Sequence, residues 1–332
     1  GFSWDVTANV TTVSNKILKL PANGNPRNRV GGIEVAAGPA TKNAAGEWEY
    51  KTKWVGGNQE GGKLGEVVAY VQNHIYRDWD DVKKNSNMTI DQVGKLYGPG
   101  LADQINPATK KTYRTSSGWK PIEPGDVCWE DMDGDGQITT YDQKVIGNTL
   151  PNITGGFSST MSYKGLSLYA RFDYSMGHTI YNGYLARVLG QYQGTFNVVT
   201  EVRNMWNEDK GVLDTDLPKF YYADQLAKYN ITRGNGAGYN MNSNNSRFYS
   251  KADYLACREI TLSYKFGKKL LGHTPLQDAS VYVTGQNLFY LTGYKGNSPE
   301  AVVAGGAGGY VGVDDGRWAT PRTFLFGLSV TF

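Results

Sequence analysis

The stretch RTFLFGLSVTF, Arg322 to Phe332, decides the fold. Phe324, Phe326, Leu328, Val330 and Phe332 fall on one side of an extended chain, and Thr323, Leu325, Gly327, Ser329 and Thr331 on the other, because successive side chains of a strand point to opposite faces. One face is apolar along most of the segment. LSLYARFDYSM repeats the period, with Leu166, Leu168, Ala170, Phe172, Tyr174 and Met176 opposing Ser167, Tyr169, Arg171, Asp173 and Ser175. Arg171 and Asp173 are costly to bury in a dry core, so their face is expected to be wet. In FSWDVTANV, Phe2, Trp4, Val6, Ala8 and Val10 alternate with Ser3, Asp5, Thr7 and Asn9. Trp48 to Gly56, Leu64 to His74, Ile153 to Tyr163, Tyr254 to Phe266 and Ala279 to Tyr290 read the same way. Together these runs predict about eight strands of roughly 9 to 13 residues, the length a tilted strand needs to cross a bilayer.

Any one such strand also suits a soluble sandwich; the connections separate the two. Lys164 and Gly165 make a tight turn after Tyr163, and Phe266 to Ala279 is a moderate connection, whereas Ser14 to Glu47, Ile75 to Asn152, Gly177 to Asp253 and Leu291 to Thr320 are long. Short turns at one end and long loops at the other are the asymmetry of bacterial outer-membrane barrels. With Phe332 on the periplasmic side, strand counting sends every long loop outside the cell. Composition agrees with this class. No run approaches the 18 or so apolar residues of a membrane helix, which says nothing against a barrel. The 34 Lys+Arg against 31 Asp+Glu leave +3, too small and scattered a charge for a nucleic-acid binder. Cys128 and Cys257 make no framework and no CxxC spacing, leaving two separate thiols or one bridge open. The chain starts at Gly1 without a basic, apolar leader, so an export signal is expected to be absent or removed.

Within one long loop lies DMDGDGQITTYD, Asp131 to Asp142. Calcium loops of the EF-hand kind place oxygen ligands at positions 1, 3, 5, 7, 9 and 12 with glycine at 6. Here those positions hold Asp131, Asp133, Asp135, the Gln137 carbonyl, Thr139 and Asp142, with Gly136 at the turn and Ile138 as an apolar anchor. Four crowded carboxylates repel unless a hard cation neutralises them, which predicts a structural Ca²⁺; a solvated acidic turn is the bland alternative. Asp142 stands where glutamate is usual, and its shorter arm is expected to fall short of two-oxygen ligation. Pro121, Pro124 and Gly125 before the loop and Gly147 and Pro151 after it speak against a paired-helix sensor and for a metal-stapled loop.

The segments GDVCWEDMDGDGQITTYDQKVIGNTLPNITGGFS, SRFYSKADYLACREITLSYKF, VYVTGQNLFYLTGYKGNSPEA and WATPRTFLFGLSVTF, in that order and spacing, resemble the SusC/RagA-type TonB-dependent outer-membrane transporters of Bacteroidetes. The resemblance runs across most of residues 1–332. It implies an all-β, antiparallel transmembrane β-barrel, of which this chain is the C-terminal part: about eight strands of about 22, with the plug domain, the N-terminal strands and the TonB-contacting segment lying outside it. It implies an importer of oligosaccharides or peptides in the bacterial outer membrane, capped by a SusD-type surface lipoprotein and energised by an inner-membrane TonB complex. Phe332, closing an alternating strand, resembles the terminal signal read by the barrel-assembly machinery.

Other constellations read more plainly. His74, His178 and His273 are far apart and near predicted strand ends, which suits solvated or interfacial positions. GGAGGY, Gly305 to Tyr310, has neither the lysine nor the following helix of a phosphate loop. No nucleophile, base and orienting group meet in a motif, so an enzyme is not expected. Tyr192, Trp206, Tyr221 and Tyr222, in a loop rich in amides, are the candidate substrate contacts, with packing the commoner use of any single one. VVTEVRNMWNED reads as a short helix packing loop on loop. Two further classes remain at this stage: a secreted, calcium-stabilised adhesive or structural β domain, and a passive porin.

Overall fold

The computed structural model describes residues 1–90, 95–190, 199–220, 245–300, 312–316 and 318–332. They divide into two compact units, one of Gly1–Asn15, Asn148–Ile180 and Lys251–Phe332, the other of Lys16–Gly147 and Tyr181–Ser250.

Six long strands build the first unit: β1 Phe2–Thr12, β2 Ile153–Tyr163, β3 Leu166–Met176, β4 Tyr254–Lys265, β5 Asp278–Thr292 and β6 Thr323–Thr331. Each pairs antiparallel with its neighbour in this series, giving an up-and-down meander. β2 and β3 join through Lys164 and Gly165, both at positive φ (48° and 89°), the two-residue turn whose twist matches its flanking strands. A Cβ at Gly165 would sit 2.5 Å from the Lys265 carbonyl oxygen, so glycine alone fits. Residues 266–277, with one helical turn at Lys268–Leu271, join β4 to β5 at the same end. The long connections 13–152, 177–253 and 293–322 all leave and return at the opposite end, where Thr12 pairs with Ile153, Ser175 with Tyr254 and Tyr254 with Thr292. The expected asymmetry of turns and loops is therefore present.

Register makes the two faces of the sheet chemically distinct. Val6, Phe157, Leu168, Leu262, Val281 and Phe326 belong to an apolar face, and side chains on it stand bare: Trp4 is 61% and Phe326 80% exposed. A bare apolar face this long calls for a nonaqueous neighbour. Near the short-turn end, the Tyr264 and Phe266 rings meet edge to face at 5.2 Å, in the manner of an interfacial aromatic girdle. The opposite face carries Thr7, Ser158, Arg171, Asp173, Thr261 and Thr284. A groove of about 800 Å³ on it is lined by Thr7, Asn9, Arg171, Asp173, Tyr254 and Arg258 among others. A β-bulge between Cys257 and Glu259 leaves Arg258 outside the ladder and turns it onto this face. There its guanidinium pairs with Asp173 and Glu300, and Glu300 also accepts from the Tyr254 hydroxyl (2.9 Å) and the Tyr290 hydroxyl (2.6 Å). His178, expected at a solvated or interfacial position, is buried, and its Nε2 donates to the Pro299 carbonyl at 3.2 Å.

The strand count is a correction: among the described residues the sheet has six long strands, where about eight were expected. Trp48 to Gly56 and Leu64 to His74 do not enter it. They break into Trp48–Glu49, Thr52–Val55, Glu66–Tyr70 and Gln72–Ile75, all in the second unit. Thr52–Val55 stops where Gly56 and Gly57 take positive φ (64° and 59°); a Cβ at Gly57 would collide with the Gly32 amide. In Glu66–Tyr70 the successive residues Ala69 and Tyr70 are both buried, so this segment is packed on two faces, as a core strand is and a membrane wall is not.

The second unit has its own core, in which Tyr70, Ile75, Ile90, Val127, Trp129 and Ile138 meet. Gln72–Ile75 pairs with Val127–Trp129. The helix Trp79–Lys84 starts at Asp78, whose side chain accepts from the Asp81 N–H. Cys128 and Cys257 are both free and buried, so they do not form a bridge.

Candidate metal centre

The acidic loop lies in the second unit between the strand Val127–Trp129 and the 3₁₀ turn Thr140–Asp142, which leads into the strand Gln143–Asn148. It is not flanked by helices. Its shape follows from short side chains bonding to nearby backbone, the local competition at which aspartate excels. Asp131 accepts from the Gly134 and Gly136 N–H groups at 2.7 and 2.9 Å. Asp133 Oδ1 accepts from Asp135 N–H at 3.2 Å and Asp135 Oδ1 from Gln137 N–H at 2.6 Å. Gly134 and Gly136 both take positive φ, 75° and 82°. Gln137–Ile138 then pairs in parallel with Thr89–Ile90, and Ile138 is buried in the unit's core, the anchoring expected of it.

Asp131, Asp133 and Asp142 converge, with carboxylate oxygens within 4.8 Å of one another. Asp142 does reach the cluster despite its short arm, because the 3₁₀ turn draws it inward. It is fully buried, and its two oxygens accept from Met132 N–H (2.8 Å) and Thr139 N–H (2.7 Å). Thr139 caps that turn, its hydroxyl accepting from Tyr141 N–H at 3.1 Å, so its side chain is engaged locally. Asp135 stands beside the three, its Oδ2 accepting from the Tyr50 hydroxyl at 2.6 Å. Asp133 Oδ2 is buried and finds no hydrogen-bond donor among the described residues, though Asp133 itself is only 2% exposed.

Burial pushes the Asp133 carboxyl up to about 6, helped by the charges of Asp135 and then Asp131. Burial likewise pushes Asp142 up to about 7, against the opposing hydrogen bonds from Thr139 and Met132. The loop thus crowds acidic side chains, with Asp133 and Asp142 buried and Asp131 and Asp135 part-exposed. An all-oxygen donor set with no His or Cys fits a hard cation such as Ca²⁺ and does not suit zinc. The orphaned Asp133 oxygen is the group such an ion would satisfy first.

Of the four candidate substrate contacts, Trp206 is the one among the described residues. Tyr192, Tyr221 and Tyr222 lie outside the described residues. Trp206 is part-buried against the second unit's core, donates from Nε1 to the Arg77 carbonyl at 3.0 Å, and has the Lys219 ammonium 5.9 Å from its ring. The VVTEVRNMWNED segment forms a short 3₁₀ helix, Thr200–Asn204. Phe332 follows β6 directly and is three-quarters exposed. Tyr50 was missed by the sequence reading: it lies 85 residues from Asp135, and no spacing rule links them.

Sequence comparison relates the chain to receptors. TonB-dependent receptor P3 of Formosa agariphila is 30% identical over 214 residues, 63% of this chain and 19% of the receptor. TonB-dependent receptor SusC of Bacteroides thetaiotaomicron is 27% identical over 332 residues, 100% of this chain and 28% of the receptor. The matched part of the chain therefore spans 19% to 28% of the length of these curated relatives. No family model matches it. Among solved structures, the RagAB peptide transporter superposes with a TM-score of 0.57 at 19% identity, over 100% of this chain and 27% of that one. The RagAB peptide importer in its closed-closed state gives a TM-score of 0.55 at the same identity. At that identity the likeness shows the fold, an antiparallel β-sheet of the RagAB barrel type.

Proposed function

On the premise that the chain is a segment of a SusC/RagA-type TonB-dependent receptor, as its relatives by sequence and by fold support, we propose that it forms part of the wall and outer loops of an outer-membrane nutrient importer. The six-stranded sheet carries this reading: a bare apolar face for lipid, a polar face with a groove for the lumen, and every long connection at one end. The cargo is an oligosaccharide or a peptide. A SusD-type lipoprotein covers the long-loop end, and the rest of the barrel with its plug couples transport to the TonB complex. The membrane is the bacterial outer membrane, and this chain is the C-terminal part of the barrel.

The test is uptake by cells carrying the full receptor. Import that stops when TonB is deleted, while the receptor stays in the outer membrane, supports an energised importer. Uptake at full rate without TonB would point to a passive pore, and a receptor recovered in the soluble fraction to a secreted β domain.

The acidic loop is proposed to hold one structural Ca²⁺ through Asp131, Asp133 and Asp142, with Asp135, the Gln137 carbonyl and Thr139 completing the set of oxygens named by the spacing. What supports it is the buried, unpartnered Asp133 oxygen beside two further carboxylates. Calcium content of the purified receptor, measured by mass spectrometry in millimolar CaCl₂, tests it; a receptor free of calcium would leave an acidic turn.

A further inference from the structure

Residues 33–55 form a hairpin in two parts, Ile33–Ala36 against Thr52–Val55 and, beyond them, Thr41–Lys42 against Trp48–Glu49. It touches the acidic loop at separate points. The Ala40 N–H donates to the Asp133 carbonyl at 2.8 Å. The Tyr50 hydroxyl donates to Asp135 Oδ2 at 2.6 Å, and the Tyr50 ring lies 5.2 Å from that of Tyr141, in the turn that carries Asp142. These contacts therefore join the hairpin to the third, fifth and eleventh positions of the twelve-residue loop.

We infer that Tyr50 is a positioning residue for the calcium site and that the ion, when bound, fastens the hairpin 33–55 to the loop. The inference rests on the calcium reading above. Among the described residues, Asp135 is the aspartate of the loop with an oxygen held by a side chain from outside it. Its first oxygen is tied to Gln137 N–H, so the Tyr50 hydroxyl fixes the remaining rotation of the carboxylate. Asp135 also donates its N–H to Asp133 Oδ1 at 3.2 Å, which ties it directly to the cluster. A carboxylate held by an outer partner meets a metal with less ordering left to do. Without a cation, the repelling carboxylates spread apart; the Asp133 carbonyl and Asp135 move with them, and the hairpin loses two of its attachments. Linkage makes the effect reciprocal: whatever the hairpin adds to calcium affinity, calcium adds to hairpin docking.

The experiment uses the full receptor in detergent, with calcium as the probe. Calcium affinity is measured by titration calorimetry for the native protein and for Tyr50→Phe, and hydrogen exchange of residues 37–55 is followed with calcium and with chelator. Tyr50→Phe keeps the ring on Tyr141 and removes only the hydroxyl, so a purely packing role leaves calcium affinity unmoved. The expected result is calcium binding about tenfold weaker in Tyr50→Phe, at the low end for loss of a partner that orients a ligand. In the native protein, chelation should speed exchange across residues 37–55, a readout that needs no variant. A native receptor that binds no calcium overturns the metal reading and this inference together. Equal or tighter calcium binding in Tyr50→Phe, or hairpin exchange indifferent to chelator, overturns this inference alone and leaves the metal site standing.

Discussion

Ile260 and Thr261 are neighbours on β4 that point to opposite faces, and placing arginine at each in turn separates a membrane wall from a soluble sheet. Ile260 sits opposite Ala170 and Gly285 on the apolar face, and Thr261 opposite Tyr169 and Thr284 on the polar one. Ile260 is four residues from Tyr264, which at about 3.3 Å per residue and a tilt of about 45° is about 9 Å above the aromatic level. That puts it close to the middle of an apolar band about 25 Å tall. A guanidinium there costs about 2–4 kcal/mol, or about 30- to 700-fold in the folded-to-unfolded ratio. Thr261→Arg keeps its charge in water and loses two hydroxyl hydrogen bonds, to Thr284 at 2.7 Å and to Glu259 at 3.1 Å, each worth about 1 kcal/mol, while it sets a guanidinium beside the Glu259 carboxylate. The assay is urea-dependent folding of the full receptor into phospholipid vesicles, read as the heat-modifiable band on a gel. Ile260→Arg should shift the folding midpoint more than Thr261→Arg. Equal shifts, or a larger one for Thr261→Arg, would refute the assignment of faces.

Glu300→Gln should raise hydrogen exchange in residues 293–300 while leaving β4 and β5 protected, because the carboxylate bridges Arg258, Tyr254 and Tyr290 to that connection; an unchanged exchange pattern counts against it. Arg258→Met should lower the thermal midpoint more than Glu300→Gln does, since it leaves both Asp173 and Glu300 without their cation; calorimetry showing the reverse order would contradict this. In the calcium-free receptor, Asp133 and Asp142 keep their protons up to about 6 and about 7. At these two carboxyls the folded chain therefore binds more protons than the unfolded one between about pH 4 and about pH 7, so raising the pH through this window removes stability that they contribute. Chelated protein should resist loop proteolysis better at pH 5 than at pH 8, and millimolar calcium should remove most of the difference; greater resistance at pH 8 in chelator opposes it. Replacing Asp131 and Asp133 together with asparagine should abolish calcium retention and expose the loop to protease with the barrel still heat-modifiable, and loss of the barrel as well would show that the loop supports it.

Much of the wall is legible in the sequence because a strand's side chains alternate with a period of two whatever surrounds it. Phe324 to Phe332 and Leu166 to Met176 announce their faces, and Lys164–Gly165 its turn, by rules acting over a few residues. The shape of the acidic loop is legible for the same reason: Asp131 and Asp133 accept from backbone N–H groups at most five residues away. The same local rule misled at Trp48 to Gly56 and Leu64 to His74, since a period of two does not say whether a face meets lipid or a protein core. Burial of both Ala69 and Tyr70 settles that, and burial is a property of what packs around a strand. Arg258 looks like one more alternate residue until the bulge turns it onto the face of Asp173, a consequence of how three strands register together. Asp142 closes on its cluster because a 3₁₀ turn shortens the path, and Tyr50 reaches Asp135 across 85 residues of chain. Period and spacing fix what each segment can be; which segments meet is decided by contacts between residues far apart in sequence, and those exist only once the chain has folded.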